Sequence, residues 1–364
     1  MPASRMAVRL AQLPHNVLVE LAARLCVSDD SARAAADAVL AKHQPVPQWA
    51  NEGVLLSSDL VPHLLAPLGL EDGAAAAACS AWAAGWRATA EGRRHLREMP
   101  LAFPEDLLGT ERIELAVLPG NSAIETRLVV SNTIETRILD RRMHTVRTFE
   151  EQWDGISNAD AQSIFTAHHV VRRLSHDGLE LASYGEEDKW FHCPAPGPGG
   201  LLFCVAFEEG DTEHDEILAL DAASLQLRYR FGRSLLNDAR NLEVVGDELF
   251  VCDRNNDRLQ VFSLAGEHRR SITGAWKQPV LLCYVHDRLF LVEDPELLPE
   301  QGDNALRGRR IFALSLQGRT IEVYTHPVEG RYFCSLYHFD GKLLAAYAPR
   351  DGEPVQGMLA LAGL

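Results

Sequence analysis

No stretch of this 364-residue chain approaches the roughly 18 consecutive apolar residues that a membrane-spanning helix needs. The first residues, MPASRMAVRLAQLPHN, lack the apolar centre of a secretory signal, so a cytoplasmic or nuclear protein is expected, with no membrane contact. There are 7 cysteines, an odd number, irregularly spaced and without a CxxC pair. That excludes a disulfide framework and a cysteine-built zinc site. Most of them sit in apolar runs such as LLFCVAF and LLCYV, which predicts buried, unreactive thiols. Cationic residues are also short, 35 Lys and Arg against 51 Asp and Glu. The imbalance is uneven, with 9 against 10 in residues 1–100 and 26 against 41 in the remainder. Phosphate-backbone binding needs a basic face, so nucleic acid is not an expected partner. No GxSxG, HExxH or P-loop pattern occurs. No catalytic residue, metal ligand or cofactor is assigned.

Two parts of different composition remain. Before about residue 100, helix formers dominate and alanine is abundant; afterwards, short β-branched and aromatic runs alternate with Gly, Asp and Asn turns. LPHNVLVELAARL places Leu13, Val17, Leu21 and Leu25 along one helix face. Asp29 or Ser28 suits the N-cap of a second helix, DSARAAADAVLAKH, which QPVPQW breaks. A third helix is predicted from Ser57 or Ser58, tolerating Pro62 early and ending at Pro67. A fourth runs from Asp72 through the alanines to Trp82 and Trp86. Pro100 and Pro104 in EMPLAFPED mark a linker.

The second part repeats itself. LEVVGDELFVCDRNNDRLQVFSLAGEHRRSI, LLCYVHDRLFLVED…RRIFALSLQGRTIEVY and CSLYHFDGKLLAAYAP each open with an apolar strand. They turn at Gly246-Asp247, His286-Asp287 and Asp340-Gly341 into a second strand. The first two continue through a turn at Gly266 or Gly318 to a fourth strand. Weaker copies are HHVVRRLSHDGLELASYG, LLFCVAFEEGDTEHDEILALDAASLQLRYRFG and ETRILDRRMHTVRTF. Turns at 178, 223, 266 and 318 recur at about 40 to 50 residues, the period of four-stranded propeller blades. A two-sheet sandwich is the competing architecture, but it does not predict a recurring four-strand unit.

Two family resemblances follow from particular residues. NDARNLEVVGDELFVCDRNNDRLQVFSLAGE resembles an NHL repeat, with Asp253, Asn256, Arg258, Leu259, Val261 and Phe262 at the matching places. LSSDLVPHLLAPLGLEDGAAAAACSAWAAGWR resembles an F-box through Leu56, Asp59, Leu60, Leu64, Leu65, Leu68, Asp72, Cys79 and Trp82. Ser57 replaces the family proline, and Pro62 and the alanine run depart from the pattern. The F-box resemblance implies that Leu56, Leu60, Leu64, Leu65, Leu68 and Trp82 dock on the Skp adaptor of a cullin ubiquitin ligase. The competing role for Leu60, Leu64, Leu65 and Trp82 is plain helix-pair core.

Three stretches invite chemistry. In CDRNNDRLQVF, Asp253, Asn255 and Asp257 have the one-three-five spacing of a calcium loop. The required glycine and glutamate are Arg258 and Leu264, so a turn that bonds local backbone N–H groups is expected instead. His168 and His169, if in a strand, point to opposite faces and cannot share a metal. EEGDTEHDE (208–216) and EDPELLPEQGDNALRGRR (293–310) read as solvated loops, or as an acidic rim for a basic partner.

The expected organisation is therefore multidomain, α plus all-β. It comprises a helical extension (1–50), an F-box-like helical domain (51–98), a linker (99–108) and an NHL-like β-propeller of about six four-stranded blades (109–364). The resemblances imply a non-catalytic substrate receptor of a cullin-type ligase, bound to the Skp adaptor and cullin scaffold, with a protein substrate of basic character. The alternatives are a ubiquitin-independent propeller scaffold and a propeller lyase or lactonase, whose ligands would converge from separate blades.

Overall fold

The computed structural model describes residues 61–65, 82–85 and 95–363, the last with breaks at 111–112, 119–125, 151, 154, 157–162, 209–210, 295–305 and 350–352. The chain divides into two compact units, residues 1–97 with 362–364, and Glu98–Leu361. No helix among the described residues is long and apolar enough to cross a membrane.

In the first unit, the described residues include helix α1 (Val61–Leu65) and a helical turn at 82–85. Val61 and Leu65 are buried. A Cβ at Gly85 would lie 2.6 Å from Val61 Cγ1 and 3.2 Å from Leu65 Cδ1. The two turns therefore pack backbone to side chain, which only a glycine at 85 allows. Most of the predicted helical region, including the alanine run and residues 1–50, lies outside the described residues.

The second unit is a six-bladed β-propeller. A short strand β1 (Arg97–Met99) precedes the blades. Blade 1 is β2 (Ile113–Leu118), β3 (Arg127–Asn132), β4 (Thr136–Leu139) and β5 (Thr145–Phe149). Blade 2 has β6 (Ser163–Ala167), β7 (Val171–Ser175) and β8 (Glu180–Tyr184) among the described residues. Its innermost position is taken by the chain around Gly155, whose carbonyl accepts the Ala167 N–H. Blade 3 is β9 (Lys189–Gly197), β10 (Leu201–Glu208), β11 (Asp211–Asp221) and β12 (Leu227–Phe231). Blade 4 is β13 (Ala239–Val245), β14 (Glu248–Asp253), β15 (Arg258–Ser263) and β16 (His268–Ile272). Blade 5 is β17 (Pro279–Val285), β18 (Arg288–Glu293), β19 (Arg310–Ser315) and β20 (Thr320–Thr325). Blade 6 is β21 (Tyr332–Phe339), β22 (Lys342–Ala348) and β23 (Gly357–Ala362), with β1 as its outermost strand. The ring is thus closed by pairing the two ends of the propeller, which leaves no open end between first and last blades. β1 lies ahead of the expected propeller start at 109, and Leu107, in the stretch expected to be linker, is buried in the core between blades 1 and 6.

Burial follows position in the blade. β14 and β18 are buried on both faces because each is covered by neighbouring blades, so they read as continuous apolar runs. The outermost strands β12 and β20 alternate or face solvent. The cores lie between blades: Phe165, Phe191 and Leu218 join blades 2 and 3, and Phe250, Leu259 and Leu289 pack around Trp276 between blades 4 and 5. The hairpin Asp340-Gly341 has both residues at positive φ, 51° and 72°, the type I′ signature expected of such a turn. Gly318 meets two demands. Its φ is 84°, and a Cβ there would lie 2.1 Å from Ile272 Cγ2 of the preceding blade.

Candidate functional site

The innermost strands surround a cavity of about 630 Å³, to which all six blades contribute. Local geometry explains why side chains reach it. Inner strands β9, β13, β17 and β21 each carry a register break, between His192 and Ala195, Ala239 and Leu242, Pro279 and Leu281, and Phe333 and Ser335. A bulge re-aims side chains and ends regular pairing, and it is common beside functional sites. The extra residues include Cys193, Arg240, Asn241, Val280 and Cys334, all of which line the cavity. Cys193 sits at φ 52°, an unusual value for a residue with a Cβ. Its Sγ donates to the Arg240 carbonyl at 3.0 Å.

Two carboxylates line the cavity. Glu114 on β2 accepts the Ile156 N–H at 2.7 Å. Glu243 on β13 accepts the Tyr284 N–H at 2.8 Å from the neighbouring inner strand. Burial pushes the Glu243 carboxyl up to about 7, and the single backbone hydrogen bond only partly offsets it. Arg240, the cationic side chain on the same strand, is committed elsewhere, with Nε 2.7 Å from Asp238 Oδ1. His338 on β21 is held below its ordinary value by burial and by the neighbouring His286. Glu114, His168, His192, Asn241, Glu243 and His338 thus line one cavity. Among the described residues, no group of three His, Cys, Asp or Glu side chains is arranged to hold a metal ion.

The two histidines expected to diverge along a strand do not. His168 and His169 lie in the turn between β6 and β7, where the two-residue alternation no longer applies. Their rings are 4.6 Å apart, and both contact Trp190, at 4.7 and 3.8 Å. The acidic stretch 208–216, read as solvated loop, is largely strand. Glu208 pairs with Asp211 in the β10–β11 hairpin. Asp215 and Glu216 are buried. Glu216 accepts from Lys189 Nζ at 2.8 Å and lies 3.1 Å from Arg230, which explains how carboxylates persist inside the sheet. Of the second acidic stretch, 295–305 lies outside the described residues, while Arg307 and Arg309 at its end are buried.

CDRNNDRLQVF proves to be a turn, as expected. Asp253 is wholly buried and accepts the Asn237 N–H at 2.8 Å, Asn256 Nδ2 at 2.9 Å and Arg258 Nε at 2.7 Å. With its acceptor sites so used, Asp253 is no free metal ligand. Asp257 closes the turn in the left-handed region at φ 54°. Blade 5 repeats the device with different residues: buried Glu293 accepts the Lys277 N–H at 2.9 Å and a fork from Arg310 at 2.7 and 2.9 Å. The cysteines divide. Cys204, Cys252 and Cys283 are buried free thiols, raised by burial, whereas Cys193 is half-buried and Cys334 exposed on the cavity wall.

Of the residues that the F-box resemblance assigns to adaptor binding, Leu65 is buried against Gly85 and Trp82 is half-buried. Leu64 is helical in backbone, and Leu56, Leu60 and Leu68 lie outside the described residues.

No protein-family model and no curated protein matches the chain. Among solved structures it is similar to a protein of unknown function from Bacteroides caccae, at 10% identity over 67% of this chain and 92% of that one, with a TM-score of 0.46. It is similar to BamB from Moraxella catarrhalis at 13% identity over 68% of this chain and 84% of that one, TM-score 0.41. The corresponding values for U3-55K are 6%, 66%, 79% and 0.47.

Proposed function

We propose that the protein is a non-catalytic binding scaffold whose propeller engages a partner protein at the open face of the central cavity. The observation that carries this reading is the bulged ring of inner strands, which brings polar, aromatic and thiol side chains of separate blades to one opening of a rigid platform. The finer reading is an NHL-like propeller joined to an F-box-like segment, acting as a substrate receptor that binds the Skp adaptor and cullin scaffold. Its support is the resemblance of residues 56–87 to an F-box and of residues 237–267 to an NHL repeat. Leu64 is the residue to test, because its neighbour Leu65 is consumed by packing on Gly85. Leu64→Asp is expected to abolish capture of a purified Skp adaptor by the full chain. If the unmodified chain captures no adaptor, the ligase role is lost and the scaffold reading stands.

A second reading, a propeller lyase or lactonase, is favoured by the presence of Glu114, Glu243 and His338 in the lining of one cavity. Metal analysis of the purified protein together with a lactone-hydrolysis assay tests it; turnover abolished by Glu114→Gln would replace the scaffold reading.

A further inference from the structure

We infer that the central cavity is a receptor site for an organic cation, an ammonium or guanidinium group on an apolar stem, held by the Glu243 carboxylate. The inference goes beyond the scaffold reading and specifies what its cavity takes. At about 630 Å³ the space matches small-molecule sites rather than a packing defect.

Charge accounting leads to a cation. Glu243 is half-buried on the cavity wall and accepts one hydrogen bond, from the Tyr284 N–H at 2.8 Å. Among the described residues, no Lys or Arg pairs with it. A carboxylate confined to a cavity wall without a counter-charge is costly, and it is stabilised by protonation or by a cation from outside. The neighbouring guanidinium of Arg240 is held by Asp238 at 2.7 and 3.3 Å, so it does not supply that charge. Glu114, on blade 1, adds a second carboxylate to the cavity lining.

The remaining lining selects the kind of cation. With no three-ligand group among the described residues, a metal ion lacks a cage. Trp190, Tyr284 and Tyr337 offer ring surfaces that attract a desolvated organic cation. Leu281 and Leu336 supply apolar wall for its stem. Such a group is the side chain of a basic peptide or a free amine.

The pH dependence follows from the groups around Glu243. Cys283 on β17 and Cys252 on β14 feel its charge, and both stay protonated because burial raises them. His338 on β21 is held below its ordinary value by burial and by the neighbouring His286. Arg240, on the same strand as Glu243, is paired with Asp238, and His168, His192 and Cys193 line the cavity from blades 2 and 3. With its carboxyl at about 7, Glu243 is ionised in about one molecule in ten at pH 6 and nine in ten at pH 8.

The test is isothermal titration calorimetry of the full chain with four probes: agmatine, n-butylamine, and blocked tripeptides Gly-Arg-Gly and Gly-Lys-Gly. Binding at pH 8 that weakens about tenfold at pH 6 is expected. Glu243→Gln keeps size and shape and should lower affinity at pH 8 by tenfold or more while removing the pH dependence. Glu243→Asp should recover part of the affinity, and near-UV circular dichroism checks that each variant is folded. Stronger binding of the peptides identifies a peptide side chain as the cation; stronger binding of the amines identifies a free amine. The inference is overturned if no probe binds the unmodified chain at pH 8, or if Glu243→Gln binds equally well. Such a failure leaves the scaffold reading intact, because adaptor and partner capture are measured separately.

Discussion

Asp253 is the buried acceptor on which the clearest blade turn is built, so its removal gives a stringent test. Asp253→Ala leaves the Asn237 N–H, the Asn256 amide and the Arg258 guanidinium without the partner they share at 2.7 to 3.0 Å. Breaking a buried ion pair by removing one member costs roughly 3–5 kcal/mol. Two facts lower that figure here: the Arg258 side chain is 29% exposed, and its Nη2 keeps the Leu235 carbonyl at 2.9 Å. About 2–4 kcal/mol is expected for Asp253→Ala, with less for Asp253→Asn, which retains an oxygen for the Asn237 N–H. Asn255→Ala, an exposed side chain in the same turn, should cost no more than about 0.5 kcal/mol. In urea unfolding, with a slope of about 3 kcal/mol per molar, the Ala variant should lower the midpoint by about 1 M. The turn account is refuted if Asp253→Ala lies within about 1 kcal/mol of the unmodified protein, or if Asn255→Ala matches it. Millimolar calcium should leave the melting temperature unchanged, since the Asp253 oxygens are already occupied.

Three further outcomes are expected. Glu243 is raised in the folded state, so its contribution to stability is present below about 4.5 and lost as pH rises through about 7. Glu243→Gln should therefore gain about 3 kcal/mol at pH 8 and nothing at pH 4, read from urea midpoints; equal gains at both would contradict the shift. Gly318→Ala should destabilise by more than about 2 kcal/mol, because it adds a Cβ at φ 84° and drives it into Ile272; thermal melting checks this. Iodoacetamide labelling read by peptide mass spectrometry should modify Cys334 in the folded protein. Cys204, Cys252 and Cys283 should label only after unfolding.

The parts of the propeller most legible in the sequence are those constrained twice. β14 and β15 are buried between neighbouring blades and joined by a turn whose Asp253 and Arg258 are five residues apart, so pattern and motif coincide. The turns at Gly266 and Gly318 were legible because both need positive φ, 89° and 84°. In blade 5 the same acid–arginine device leaves no local pattern in the sequence. Glu293 and Arg310 are 17 residues apart, separated by an insertion, and the acid is one methylene longer. β9, KWFHCPAPG, was missed for a different reason. Pro194 and Pro196 argue against a central strand, but an innermost strand has one edge open to the cavity and can spare their N–H groups. The carboxylates of β11 were read as solvated because the sequence does not show that Lys189 and Arg230 stand opposite Glu216.

The candidate site was hidden by the same geometry that makes it. Its side chains arrive from separate blades, so each is separated from the next by much of a repeat and no local spacing joins them. Within one strand the signal is also misleading. In LEVV, alternation assigns Glu243 to a solvated face, as it would in an ordinary antiparallel strand. In a propeller that face is the inside of a closed ring, where the carboxylate meets a confined cavity and its charge becomes expensive. An acidic residue on the innermost strand of a blade is therefore a different chemical object from one on the outermost strand.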